Sequence, residues 1–261
     1  MNEIKVLDHG YVRLIESWGS DRAIIEAARM STQKGFLGWS ASCEACQGSG
    51  CVKDTVTDAY FDCPACDGTG NKPGDEKLLR FLWEKHHTTP FEFGGMIIEV
   101  AAPIFVFREW HRHRTQSFNE ASARYAPLPD VNFAPTVDRC TRVSATNRQA
   151  GAAGGSGEVT EEVARLWLGR LLDTYAYAEE TYQEGLAAGI PKEIARVVLP
   201  VGRYSKMRAS ANLLNWLRFE RLRLGKDAQE EIREYAQAVH MILTGLFPRT
   251  LALFDEERAS K

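Results

Sequence analysis

Residues 112–125, RHRTQSFNEASARY, gather three arginines, a histidine, a glutamate, side-chain amides and small hydroxyls into fourteen positions. A guanidinium presents a planar fork of donors that matches phosphate oxygens two at a time, so Arg112, Arg114 and Arg124 offer three anion forks. Ser117 and Ser122 add hydroxyl donors, and Asn119 and Glu120 can read a sugar or a base edge. The set suits a nucleotide. Taken alone, it also suits a solvated helix face laced with ion pairs.

A second group is built from sulfur. Cys43-x-x-Cys46 and Cys63-x-x-Cys66 are separated by sixteen residues, the spacing of a four-thiolate site in which each pair forms a knuckle around tetrahedral zinc. Each pair runs into Gly-x-Gly, in the octads CEACQGSG and CPACDGTG, and glycine allows the tight turns that aim backbone amides at sulfur. Four protein thiolates leave no open position, so such a zinc is structural. A redox Cys-x-x-Cys pair or a loop of free thiols are the other readings; a redox pair normally stands alone at a helix start. The octads resemble repeats in the cysteine-rich domain of J-domain chaperones. Cys51 and Cys140 receive no role.

Around these groups the chain reads as a globular domain. It has 261 residues, 44% of them hydrophobic, and a formal net charge of -3, so no global positive field recruits nucleic acid or anionic lipid. The amino terminus lacks a leader pattern and no apolar run is long enough for a membrane span, which makes a cytoplasmic location the expectation. IKVLDHGYVRLIES alternates like a strand or two, and DRAIIEAARM reads as a helix from Asp21. Residues 41–74 form an insertion, with VKDTVTDAYF able to make a hairpin. Helical periodicity returns at EKLLRFLWEKHH, and MIIEVAAPIFVFREW predicts a buried strand running into a helix near Pro103. Residues 138–157 read as a mobile loop. The remainder reads as mainly helical: 161–188, 192–198, 213–224 and 228–247. No internal repeat organises the chain.

Arg112-His113-Arg114, seven residues, then Ser122 resembles the signature of the flavin-dependent thymidylate synthases, with Asn119, Glu120, Arg124 and Tyr125 also in place. Upstream, AARMS ending at Ser31, HHTTPFE and APIFVFREW resemble family segments; downstream, so do IPKEIARVVLP and NLLNWLRFERLRLGKDAQEEIR. The resemblance implies an α+β fold over 1–261, with long helices packed on a twisted, largely antiparallel sheet and the zinc-binding insertion at 41–74 added to it. It implies conversion of dUMP to dTMP with FAD, NADPH or NADH, and methylenetetrahydrofolate as one-carbon donor. A homotetramer with active sites shared between subunits is expected, and no nucleic-acid partner.

Residue by residue, the resemblance assigns flavin contacts to Thr89, Arg112, His113, Arg114 and Asn212, and also to Ser31, Glu92 and Arg218. It places Glu109, Arg112, Glu120, Ser122, Ala123, Arg124, Arg196 and Arg223 around dUMP. Arg223 is expected to face the uracil and stabilise the anion formed when the imide nitrogen ionises. Ser122 would hold phosphate, since no neighbouring base activates it as a nucleophile. His87 would lie near flavin and folate and guide proton or hydride traffic. Three positions depart from the family pattern: Glu109 replaces glutamine, Phe93 stands where histidine is frequent, and Arg218 replaces asparagine or histidine. The competing class is a zinc-ribbon module gripping nucleic-acid phosphates, which would need a net basic face with stacking aromatics. A chaperone-like peptide binder is a third.

Overall fold

The computed structural model describes residues 3–54, 57–72, 74–144 and 159–260. In chain order its first elements are β1 (Glu3–Val6), β2 (Gly10–Trp18), α1 (Asp21–Arg29), β3 (Ala41–Ser42), β4 (Cys51–Lys53), β5 (Tyr60–Asp62), β6 (Asn71–Lys72) and α2 (Glu76–Glu84). There follow β7 (Gly95–Pro103), α3 (Ile104–Trp110), β8 (Ser117–Glu120), α4 (Val137–Thr141) and α5 (Glu161–Ala187). The chain ends with α6 (Lys192–Ala195), β9 (Tyr204–Asn212), α7 (Leu213–Arg223), α8 (Glu230–Leu246) and α9 (Pro248–Ala259). The fold is α+β, as expected, and divides into two compact units.

The first unit comprises Met1–Glu16, Met96–Ala211 and Asn215–Ile242. It carries most of a five-stranded sheet of order β1-β2-β7-β9-β8, in which β1 pairs antiparallel with β2 and β8 antiparallel with β9. Alternate residues Met96, Ile98 and Val100 of β7 are wholly buried, and Met207, Ala209 and Ala211 of β9 are buried between exposed Lys206 and Arg208. Behind the sheet Trp110 of α3 stacks on Phe219 of α7 at 4.6 Å, with Trp216 edge-on to the same ring. Fully buried Arg203 donates to the Pro129 carbonyl, to Asp130 and to Glu179 of α5, tying the segment after the arginine-rich stretch to that helix.

Three expectations change here. β9 lies inside the region read as mainly helical; the period-2 alternation of YSKMRASAN, not its composition, marks it as a strand. The basic start of the expected loop is ordered: Thr136 caps α4, and Arg139 pairs with buried Glu231. The glycine-rich part of that loop, 145–157, lies outside the described residues. The last helix does not simply stop at Phe247; Pro248 opens a separate α9, because proline suits a first helical turn.

The second unit comprises Ser17–Gly95, Asn212–Leu214 and Leu243–Lys261. α1 starts where Ser20 accepts the Ala23 N–H, and it buries Ile24 and Ile25. Asp21 in its first turn is itself buried and accepts from the N–H groups of Arg249 and Thr250 and from the Thr250 hydroxyl. A carboxylate thereby satisfies the orphan donors at the start of α9, whose own N-cap residue, Phe247, cannot. Residues 41–74 branch from this unit as a separate lobe. At its base β3 pairs with β6, Ser40 donates to Glu76, and Asp75 accepts from Leu37 and Arg29.

Candidate active site and metal centre

In the first unit the arginine-rich stretch leaves α3 through a turn and becomes strand β8. Buried His113 is fixed from two sides. Its ring meets Phe219 edge-on at 4.9 Å, and its Nε2 accepts from Nε of Arg223 at 2.9 Å. The same guanidinium donates from Nη1 to Oε2 of Glu109 and from Nη2 to the Glu109 carbonyl, both at 2.8 Å. Burial first, and the adjacent Arg223 cation second, push the His113 pKa down to about 4, with Glu109 opposing. His113 is therefore a neutral acceptor near pH 7, with its proton on Nδ1. The structure thus joins Glu109, His113 and Arg223, and it turns the Glu109 carboxylate to Arg223.

Arg112 and Arg114 flank this anchored histidine and are exposed. Among the described residues neither has an ion-pair partner, and neither does exposed Arg196. Arg124 is different: it lies 3.4 Å from Glu193, next to the Lys192 ammonium that donates to the Tyr125 carbonyl. Glu120 ends β8 opposite Met207, and Ala123 is buried in the following turn. In that turn the Ser122 hydroxyl accepts the Arg124 N–H. Ser122 also borders a cavity of about 480 Å³ under residues 126–131, which is lined as well by Tyr11, Lys206 and Ser205. Arg218 is exposed on α7 and donates to Asn215.

The second unit holds the other expected residues. Thr89 and Glu92 lie on one 3-10 turn, Thr89–Glu92, packed against α1, and Asn212 donates to Glu92 at 3.2 Å. Ser31 lies just past the end of α1, with its hydroxyl on the Ala28 carbonyl. His87 follows α2, edge-on to Phe81 at 5.5 Å, with its backbone N–H on Leu82. Phe93 is exposed at the end of the 3-10 turn.

The cysteine lobe of the second unit repeats one design twice. The Cys43 N–H donates to Gly70 and the Cys63 N–H to Gly50; Gly48 and Gly68 each return an N–H to the first cysteine of their octad. Ser49 and Thr69 play matching parts, each donating its hydroxyl to the second cysteine's carbonyl. The four sulfurs are buried and lie within 4.8 Å of one another, with Cys43 to Cys63 at 3.9 Å and Cys46 to Cys66 at 3.7 Å. A tetrahedron with metal–sulfur bonds of ~2.3 Å has edges of about 3.8 Å, so the set fits zinc. Crowding makes the thiols unequal. Burial pushes Cys66 up to about 11; the same effect on Cys46 is outweighed by the Gly50 N–H, the Cys43 and Cys66 thiols and the Gly48 N–H, bringing it to about 7. A bound dication would resolve that competition by taking all four as thiolates.

The profile of the thymidylate synthase complementing protein family matches residues 13–249. The chain belongs to that family. Among its relatives are flavin-dependent thymidylate synthases of Thermus thermophilus, 35% identical over 97% of this chain and 78% of the relative, and of Wolbachia pipientis, 33% identical over 97% and 76%. The UMP/dUMP methylase PolB of Streptomyces cacaoi, solved with 5-Br dUMP, superposes with a TM-score of 0.72 at 29% identity, covering 97% of both chains. Its 5-Br UMP complex gives 0.71, covering 96% of each.

For this family member, sequence reasoning found the arginines but not their arrangement. Glu109 and Arg223 are 114 positions apart, and no spacing rule links them. Lys192 and Asp130 were also missed, because each acts by gripping backbone or a buried arginine, which leaves no motif.

Proposed function

We propose that this protein is a flavin-dependent thymidylate synthase that methylates the pyrimidine of dUMP. The observation that carries the reading is the pair of exposed arginines, Arg112 and Arg114, which flank the anchored His113 and have no ion-pair partner among the described residues. Two such guanidinium groups fit a dinucleotide's phosphates. The names of the relatives and the nucleotide-bound methylase support the same chemistry.

On this reading Arg112, His113, Arg114, Arg218, Ser31, Thr89, Glu92 and Asn212 are the residues that hold FAD. Bound and reduced by NADPH, the flavin supplies a hydride. Ser122, Arg124 and Arg196 hold the nucleotide phosphate, while Arg112, Glu120 and Ala123 border the nucleotide. Arg223 stabilises the pyrimidine anion through preorganised guanidinium donors, whose removal costs on the order of 10²–10³ in rate. His87 serves proton traffic near the folate donor. Zinc in the Cys43, Cys46, Cys63 and Cys66 site is structural. That lobe carries five acidic against two basic side chains between 41 and 74, which disfavours the nucleic-acid module.

Assembly as a homotetramer is supported by α5, which spans 27 residues but buries only Ala164, Ala178 and Tyr182 and leaves Leu166, Trp167, Leu172 and Tyr177 exposed. No described helix is long and apolar enough to cross a membrane, and we place the enzyme in the cytoplasm. The deciding experiment is an anaerobic absorption spectrum of flavin-reconstituted protein with NADPH and then dUMP and methylenetetrahydrofolate, with dTMP quantified. Flavin bleaching coupled to dTMP formation is expected; protein that retains no flavin and forms no dTMP refutes the assignment.

A further inference from the structure

Arg223 lies in the last turn of α7 and has little freedom. Three of its five N–H groups are committed, to Nε2 of His113, to a Glu109 carboxylate oxygen and to the Glu109 carbonyl. Its side chain is 14% exposed, whereas that of Glu109 is 43% exposed. All three acceptors stand on the rigid stacking of Trp110 and Phe219, since Glu109 precedes Trp110 and His113 leans on Phe219. An arginine held this way cannot swing toward an arriving ligand without breaking a charged pair, so it offers only its two remaining donors. The charge at this point is also not that of a bare cation, because a carboxylate lies at 2.8 Å.

We propose that Glu109 is a positioning residue: its carboxylate fixes the Arg223 guanidinium and serves as its counter-charge, so a bound pyrimidine nucleotide meets a neutral Arg223–Glu109 pair. This rests on the reading of Arg223 as a nucleotide-facing residue. Two functions of one side chain then separate. Charge opposes the nucleotide's phosphate, while reach keeps Arg223 in place. Glu109→Gln keeps the reach and an acceptor but removes the negative charge. Glu109→Asp keeps the charge but shortens the reach by a methylene.

The test is calorimetric titration of dUMP into flavin-reconstituted protein, for wild type, Glu109→Gln, Glu109→Asp, Arg223→Met and the double variants Glu109→Gln/Arg223→Met and Glu109→Asp/Arg223→Met. Glu109→Gln is expected to bind dUMP about ten-fold more tightly, and Glu109→Asp several-fold more weakly. In the Arg223→Met background Glu109→Gln is expected still to tighten binding, because the carboxylate there has lost its counter-charge, whereas the loss caused by Glu109→Asp is expected to vanish, because no guanidinium is left to hold. Unchanged or weaker binding in Glu109→Gln, with Arg223 present, overturns the proposal, as does a Glu109→Asp loss that persists without Arg223. If one Glu109 variant fails to fold, the other still decides by its sign. Should Arg223→Met alone leave dUMP affinity unchanged, the failure lies in the underlying reading of Arg223.

Discussion

Around Arg223, polar atoms are held in place by aromatic rings: Trp110, Trp216 and Phe219 are fully buried, with Trp110 stacked on Phe219 and Trp216 edge-on to it, and His113 leans on Phe219. The cysteine lobe has no such backing. Its buried cluster consists of the four cysteines, with only Val52 packed partly against it among the described residues. Apolar burial stabilises by about 25 cal/mol per Å² whatever the polar groups do, so the Arg223 corner is a by-product of a core that forms anyway. On the proposed reading the lobe obtains its order from zinc bound to those sulfurs. The difference teaches where each region is vulnerable.

The largest effect is expected from removing the proposed zinc. Structural zinc contributes roughly 10–16 kcal/mol in small thiolate domains, far more than this lobe can recover from Val52. Chelation, or the variant Cys63→Ser/Cys66→Ser, is expected to abolish zinc stoichiometry and to speed amide exchange at Cys43, Gly48, Cys63 and Gly68 at least a hundred-fold. Exchange at Leu217 and Phe219 should not change. Exchange that rises equally in both places would break the comparison.

The converse substitution is Trp110→Ala. Truncating a fully buried tryptophan costs about 3–5 kcal/mol, and here it also removes the ring on which Phe219, and through it His113, rests. Urea unfolding should show that loss, with zinc stoichiometry unchanged. A loss below about 1 kcal/mol, the size of a typical surface ion pair, would mean that the corner is held by its ion pair rather than by its core.

Protonation separates these two supports more finely. A base whose folded pKa is depressed stays neutral in the folded chain while the unfolded chain takes up a proton. For His113, ordinarily near 6.5 and held at about 4, the contribution is complete above pH 6.5 and is lost as pH falls toward 4. Its share of the slope is at most about 1.4 kcal/mol per pH unit. Wild type and His113→Gln should therefore show urea stabilities whose difference changes between pH 6.5 and 4 and is constant above about 7. A difference that stays flat across the whole range would show that His113 titrates normally.

What was legible in the sequence follows the same division. The clustering of the four cysteines could be read directly, because they lie close together in sequence and their glycines recur with them. The arginines of 112–124 were legible as a group, yet the partner of Arg223 was not, since contact between α3 and α7 is made by the tertiary fold. β9 was missed for a related reason. YSKMRASAN lacks the β-branched residues that advertise a strand, and its place between β7 and β8 is set by sheet pairing. α9 depends on Asp21, more than two hundred residues away, to cap it.

The smallest effect probes the doubled design of the lobe. Gly70 and Gly189 both have positive φ, at 74° and 81°, so alanine at either costs about 1–2 kcal/mol of backbone strain. Their surroundings differ. A Cβ on Gly189 meets nothing within 4 Å, whereas one on Gly70 would collide with the backbone carbonyl of Gly48, and one on Gly50 reciprocally with that of Gly68. The two octads therefore pack backbone to backbone, as close as glycine permits, and that approach brings the two pairs of sulfurs together. Gly70→Ala should keep its zinc but release it to a competing chelator faster than wild type, while Gly189→Ala should lower stability without changing the release rate. Equal release from both variants would mean that metal bonds alone hold the octads together and that the glycine contact contributes nothing.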